Sequence, residues 1–390
     1  MAFCSFALFA FCPLLIFPMY LHIVSFDIPY PDNYGGVIVV FHQIRALYAE
    51  GVKVILHCFQ YGERGQQAEL EKYCHAVHYY PRSRSPLYQL HWLPFIMRTR
   101  TSRTLIQRLQ QDDYPILCEG MHTSALVWNK YLQNRRKLVR MHNVEWQYYQ
   151  NLARLTPWGH VFKKLYYFIE SIKLWCIEPK VVACADEIIT MASHDDEYYH
   201  QRKSSTHYIP AFHPNDHVAS LLGRGNYVLF HGKLSVPDNE RAATWLIKEV
   251  FSNLAVPFMV AGMAPSAVLR ALVGQYPHIQ LVENPDSPQM RDLIADAHIH
   301  LLVSGQVAGI KLKLLHALFQ GRFCVANGTM VKGTGLAQLC QVHDSASAMQ
   351  QAITALMAVP FAQKQVEERQ AVFEKEFSNR ENARRLIALI

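Results

Sequence analysis

Lys311 and Lys313 stand two positions apart in SGQVAGIKLKLLHALFQG, residues 304–321, behind glycines at 305 and 309. Amides at the start of a predicted helix, its macrodipole and two ammonium groups together suit a diphosphate. Residues two apart do not share a helix face, so one lysine is expected to point at such a ligand and the other to brace it. A second stretch, FHGKLSVPDNERAATWL at 230–246, pairs Gly232, which permits a tight turn, with the cation of Lys233. Phosphate contact is the reading for Lys233, and helix capping the reading for Asp238 or Asn239, Asn239 above all, ahead of a helix predicted from Glu240. A third, RMHNVEWQYY at 140–149, crowds His142, Asn143 and Glu145 at the end of a predicted strand, where polar groups can face a cleft. The fourth, PYPDNYGGV at 29–37, places Gly35 and Gly36 where a strand turns into a helix, so that a ligand can approach the backbone closely.

The elements that must hold these residues follow from hydropathy. Short β-branched runs at 20–26, 53–59, 76–80, 115–119, 137–142 and 187–191 alternate with helical patterns at 37–49, 103–111, 124–132 and 160–182. The alternation restarts with strands at 227–231, 258–261, 279–282, 299–303 and 322–326, and helices at 240–251, 264–272, 289–295, 310–320 and 346–356. Residues 208–225 lack either period and read as a linker. Repeated βα units specify parallel sheets covered by helices, so the expected class is α/β with two Rossmann-like domains facing across a cleft. The expected division is 20–210 for a first Rossmann-like domain, 226–365 for a second and 366–390 for a helical tail.

Composition excludes other classes. With 51% hydrophobic and 18% charged residues in 390, the chain is neither disordered nor fibrous. A net charge of +7 without a long basic run favours anionic ligands over nucleic acid. Nine cysteines form no C-x-x-C pair, which fits a reduced, cytoplasmic setting. The chain lacks G-x-G-x-x-G after a strand, G-x-x-x-x-G-K-[ST], G-x-S-x-G, H-E-x-x-H and any D-x-D, so a metal-free anion site is expected. Residues 1–19 are apolar and run straight into the first strand; an upstream extension ahead of a start at Met19 is the preferred reading, a membrane anchor the alternative. Residues 158–180 combine six aromatics with Lys163, Lys164 and Lys173, which suits either peripheral contact with the inner face of a membrane or a helix packed within the first domain.

Taken in order, P-x-P-x-x-x-G-G at 29–36, H-N-x-E at 142–145, G-x-L-x-x-x-x-N at 232–239, G-I-K-L-K-L-L at 309–315 and G-T-G-L at 333–336 resemble the GT-B glycosyltransferases, most closely the retaining family-4 type of bacterial surface-glycan assembly. The resemblance implies a nucleotide-diphosphate sugar as co-substrate, no further cofactor, and a glycan or lipid-linked acceptor. It implies that Gly35 and Gly36 border the acceptor and the donor phosphates and that His142 contacts the transferred sugar. Lys233, Lys311 and the amides of Gly309 and Ile310 would hold the diphosphate. A hexose, mannose-like as a first guess, would pass with retention, the leaving diphosphate taking the acceptor proton. The family's usual pair of glutamates is replaced by Ala308 and His316, so either a neighbouring acid such as Glu283 stands in, donor choice is altered, or activity is lost. An inert nucleotide-sugar-binding protein and a sugar-nucleotide epimerase are the alternatives.

Overall fold

A computed structural model describes residues 18–60, 62, 64–83, 85–305 and 311–390, Ser287 by its backbone alone. The expectation for residues 1–19 therefore falls, apart from Pro18 and Met19, outside the described residues.

The first sheet is built from β1 (Tyr20–Ser25), β2 (Lys53–Gln60), β3 (Ala76–Pro81), β4 (Ile116–Glu119), β5 (Lys137–Met141), β6 (Glu187–Thr190) and β7 (Thr206–Tyr208). The second comprises β8 (Val228–His231), β9 (Phe258–Gly262), β10 (Ile279–Glu283), β11 (Ile299–Leu302), β12 (Phe323–Ala326) and β13 (Gln341–Val342). Every strand pair is parallel, in the orders β3-β2-β1-β4-β5-β6-β7 and β10-β9-β8-β11-β12-β13. Helices on both faces bury the central strands, β1, β4, β5, β8 and β11 above all, which is why these read as apolar runs, whereas the edge strands β3, β10 and β13 are partly exposed. In β1, Leu21 and Ile23 face one core and Val24 the other, the period of two expected of a strand.

Each order reverses once, between β1 and β4 and between β8 and β11. In open parallel sheets ligands bind beyond the carboxyl ends of the strands at such a reversal. The chain leaving β1 enters helix α1 (Gly35–Ala49), and the chain leaving β5 enters α2 (Glu145–Leu155) and then the long α3 (Val161–Cys184). Helix α4 (Ser193–His200) follows β6, α5 (Pro237–Trp245) follows β8, and α6 (Leu312–Gln320) precedes β12.

Two helices close the chain, α7 (Gln363–Glu376) and α8 (Asn379–Ile387). The tail's destination is the first domain: Ala383 and Leu386 of α8 join the core of Leu21, Ile44 and Leu47, and Arg380 and Arg384 each bind Glu50 at the end of α1. A further core unites Val39 and Met191 of the first domain with Leu312, Leu315 and Phe319 of α6 and Phe373 of α7. The linker is fastened to the same structure, since Ala219 donates its N–H to Phe319 O at 2.7 Å and His213 Nε2 lies 2.8 Å from Phe377 O.

Several elements differ from expectation. Residues 124–132 form two 3₁₀ turns, Ser124–Trp128 and Lys130–Leu132, rather than one α-helix, and β7 and β13, three and two residues long, had no hydropathy signal. Helix α5 starts at Pro237 instead of Glu240, and α6 at Leu312 instead of Ile310.

Candidate functional site

On the first-domain side, the loop between β1 and α1 is held rigid. Arg64 donates to the carbonyls of Ile28 and Pro31, each at 2.9 Å, and the buried Asp27 accepts from the Ile28 N–H at 2.8 Å and from the Tyr34 hydroxyl. Burial, with Asp27 beside it, raises the Tyr34 phenol above its usual range. Gly36 cannot carry a side chain here: a Cβ would lie 2.6 Å from the Phe26 ring. The ring of Phe26 stands edge-on to His142, with centroids 5.3 Å apart.

His142 follows β5 and is nearly enclosed. Its Nε2 lies 2.8 Å from Glu119 Oε2, and the other oxygen of this buried carboxylate accepts from Gln43 Nε2 at 2.7 Å. The Gln43 carbonyl accepts in turn from Arg140, so β4, α1 and β5 together fix the imidazole. Gly120, at φ 70°, passes so close that a Cβ would sit 3.6 Å from His142 Cδ2. Glu145 heads α2 and is buried; burial pushes its carboxyl up to about 7 against the pull of the Asn143 amide at 3.2 Å. Arg100 donates from Nε to Phe26 O at 2.7 Å, and burial brings its guanidinium down to about 9.

On the second-domain side, Gly232 and Gly262 bring two backbones together, since a Cβ on Gly262 would fall 1.8 Å from Gly232 O. Asp238 reaches from the first turn of α5 to the end of β11, accepting from Ser304 Oγ and Gly305 N, both at 2.8 Å. Asn327, after β12, accepts from Ser304 N at 3.2 Å and donates to Ser304 O at 2.9 Å. Lys313 donates to Asn239 Oδ1 at 3.2 Å with its ammonium 5.4 Å from the centre of the Phe230 ring. Burial lowers both Lys311 and Lys313 to about 8, opposed in each case by the charge of Asp238; Asp195 of α4 also acts on Lys311 from the first domain.

The two sides meet. A Cβ on Gly35 would lie 3.6 Å from Leu312 Cδ1, so the starts of α1 and α6 face each other. A crevice of ≈ 590 Å³ also opens between the domains, lined by Thr156, His160 and Lys163 of the first and Arg241, Trp245 and Glu249 of the second, and none of Gly35, His142, Lys311 and Lys313 lines it. Cations near diffuse helix amides at the facing carboxyl ends of two sheets can bind a multiply charged anion, and His142 with Glu119 can orient or exchange a proton beside it. Among the described residues no group of three or more His, Cys, Asp or Glu side chains is gathered as a metal site.

The residues singled out by sequence are thus brought together unevenly. Gly35, Gly36, His142, Glu145, Gly232, Lys311 and Lys313 line the facing strand ends. Gly309 and Ile310 lie outside the described residues, as does Ala308. Lys311 occupies the cap position of α6 rather than its first turn. Lys233 is exposed, and its carbonyl accepts from Asn239 Nδ2 at 3.0 Å, so Asn239 does not cap a helix. Glu283, expected near the donor, is exposed at the end of β10 with its oxygens 2.8 and 2.7 Å from the Arg270 guanidinium, which already explains it. Sequence reasoning missed Glu119, Gln43, Asp195 and the reach of Asp238. The glutamate at the end of a strand, followed by glycine, is the one signal that could have marked Glu119.

Residues 225–358 match the family described as Glycosyl transferases group 1. A Klebsiella pneumoniae protein described as an uncharacterized 44.6 kDa protein in the cps region is 26% identical over 329 residues, covering 80% of this chain and 84% of its own. Among solved structures, that of Anabaena HepE in complex with UDP and glucose superposes with a TM-score of 0.62 at 13% identity, covering 95% of this chain and 98% of the other. TarM gives 0.66 at 10% identity over 96% and 99%. The E. coli structure titled trehalose-6-phosphate, bound with UDP-2-fluoro glucose, gives 0.60 at 12% over 95% and 98%. These likenesses establish the architecture, two Rossmann-like domains in the GT-B arrangement.

Proposed function

We propose that this glycosyltransferase moves a hexose, mannose-like as the first candidate, from a nucleotide-diphosphate sugar to a glycan or lipid-linked acceptor, with retention and without a metal ion. The observation that carries the reading is the meeting of α1 and α6 at Gly35 and Leu312, with Lys311 and Lys313 beside it. An anionic diphosphate bound there would restore full charge to both lysines. The HepE structure holds UDP and glucose and the E. coli structure UDP-2-fluoro glucose, which supports a nucleotide-sugar donor here. The cps-region relative fits polysaccharide biosynthesis.

In this reading the lysines and the amides ahead of α6 stabilise charge growing on the departing diphosphate. The diphosphate takes the acceptor proton on the same face, so no protein nucleophile is required. His142, held by Glu119, contacts the sugar, and Gly35 and Gly36 border the acceptor and the donor phosphates. Incubation with a panel of nucleotide sugars tests the proposal. Nucleoside diphosphate release that depends on an added acceptor supports transfer. An isomerised donor would instead identify an epimerase, and binding without conversion an inert binding protein.

A further inference from the structure

Helix α3 is largely apolar on both of its faces. Its inner face packs Leu174, Ile177 and Val181 into the first-domain core. The outer face carries Trp158, Phe162, Leu165, Phe168, Ile172 and Trp175, spaced by three and four residues, so they form one stripe along the helix and the turn before it. All six are exposed, Phe162 by 90% and Trp158 by 78%. The loop at 86–92 extends the stripe with Leu87, Leu90 and Trp92, also exposed, and Lys173 Nζ ties that loop to α3 through Gln89 O at 2.5 Å. Isolated apolar side chains on a surface need no explanation, but a contiguous aromatic stripe of this length marks an interaction site.

Charge identifies the partner. The acids of α3, Glu170 and Glu178, both turn inward: Glu170 accepts from Phe95 N at 2.6 Å, and Glu178 from the hydroxyls of Tyr198 and Tyr199. Lys163 and Lys180 are exposed, Lys180 at the azimuth of Phe162, while Lys164, 4.7 Å from the Trp158 ring centre, donates to the carbonyls of Ala153 and Thr156 at 2.7 and 3.2 Å. The helix thus offers solvent its aromatics and two cations, Lys163 and Lys180, with neither of its own carboxylates among them. A symmetric contact with a second copy would set these cations against themselves. Among the described residues no helix is long and apolar enough to cross a membrane.

We propose that the outer face of α3, with the 86–92 loop, docks the protein on the surface of an anionic lipid bilayer, the rings entering the acyl boundary and the lysines meeting phosphate head groups. The docking does not rest on the transfer reading. If that reading holds, docking gains a use, because Lys163 also lines the interdomain crevice and a lipid-borne head group would arrive at its mouth.

The test is flotation of the full chain with vesicles of phosphatidylglycerol and phosphatidylcholine against phosphatidylcholine alone. The expected result is flotation with the anionic vesicles, weakened by salt, and a loss of roughly tenfold or more in partitioning for Phe162→Asp and for Leu90→Asp. Brominated lipid in the same vesicles should quench tryptophan emission of the unaltered protein, and the triple variant Trp92→Phe, Trp158→Phe, Trp175→Phe should lose most of that quenching. Absence of flotation or of quenching overturns the proposal. So does flotation unchanged in both aspartate variants, which would transfer the binding to another segment. A dimer in sedimentation velocity that these variants convert to monomer would assign the stripe to self-association and overturn it equally.

Discussion

Lys311 and Lys313 are the residues on which titration and ligand binding meet. Each is lowered to about 8 by burial, so without a ligand both are about half deprotonated at pH 8 and lose most of their remaining charge above it. A diphosphate favours the charged amines, and its binding above that pH must take up protons. Donor affinity is therefore expected to be flat below pH 7.5 and to fall between pH 8 and 10, by up to about tenfold per pH unit for each lysine involved. Titration calorimetry with a nucleoside diphosphate in buffers of different ionisation enthalpy measures the uptake; the bare nucleoside should show none. Lys311→Ala should lower kcat/KM by about 10- to 100-fold, kcat falling more than affinity for the neutral sugar, and should flatten the alkaline limb. Unchanged turnover in that variant would remove Lys311 from the reaction. His142 was legible because three polar side chains crowd one strand end, whereas its partner Glu119 lies 23 residues upstream and is joined to it only by the pairing of β4 with β5.

At the scale of elements, α8 decides how the two domains are held. Its contacts with α1 join residues more than 300 positions apart, and the ion pairs of Arg380 and Arg384 with Glu50 are largely exposed. Exposed pairs contribute little, so the packing of Ala383 and Leu386 against the α1 core must carry the attachment. Leu386→Ala is expected to cost about 2–5 kcal/mol in denaturant unfolding, and Arg384→Ala less than about 1 kcal/mol. The reverse ranking would mean that charge holds the tail. Eleven of the strands were legible because strands buried on both faces leave apolar β-branched runs. Strands β7 and β13 pair through too few residues to imprint a pattern. The destination of α8 was not legible, because a charged amphipathic helix states that it has an apolar stripe and not which surface receives it. Asp238 misled for a related reason: an acid near a helix start reads as a cap, and only the fold brings Ser304 and Gly305 within its reach.

For the whole molecule, the buried histidines set the acid limit of stability. Burial lowers His213 and His316 to about 4 and His300 to about 3, and drives His57, His122 and His231 well below their ordinary value. In the unfolded chain these imidazoles titrate near 6.5, so below that pH the unfolded state binds more protons than the native one. Stability is then complete above about pH 6.5 and declines as pH falls toward 4, by up to about 1.4 kcal/mol per pH unit for each histidine that stays neutral in the fold. The two lysines act in the opposite range: with native values near 8 against about 10.4 unfolded, they add stability as pH rises between those limits. Thermal unfolding should accordingly have its maximum on the alkaline side of neutrality and a steep acid limb. His316 is the informative single test, because it sits on α6 within the electrostatic reach of His42 and Asp32 of the first domain, which are themselves paired at 2.8 Å. His316→Gln should make the slope between pH 6.5 and 4.5 shallower by about one proton's worth, at some cost in stability near pH 7. A slope equal to that of the unaltered protein would mean that His316 is already protonated in the fold, and that the contact between the domains tolerates a charge there.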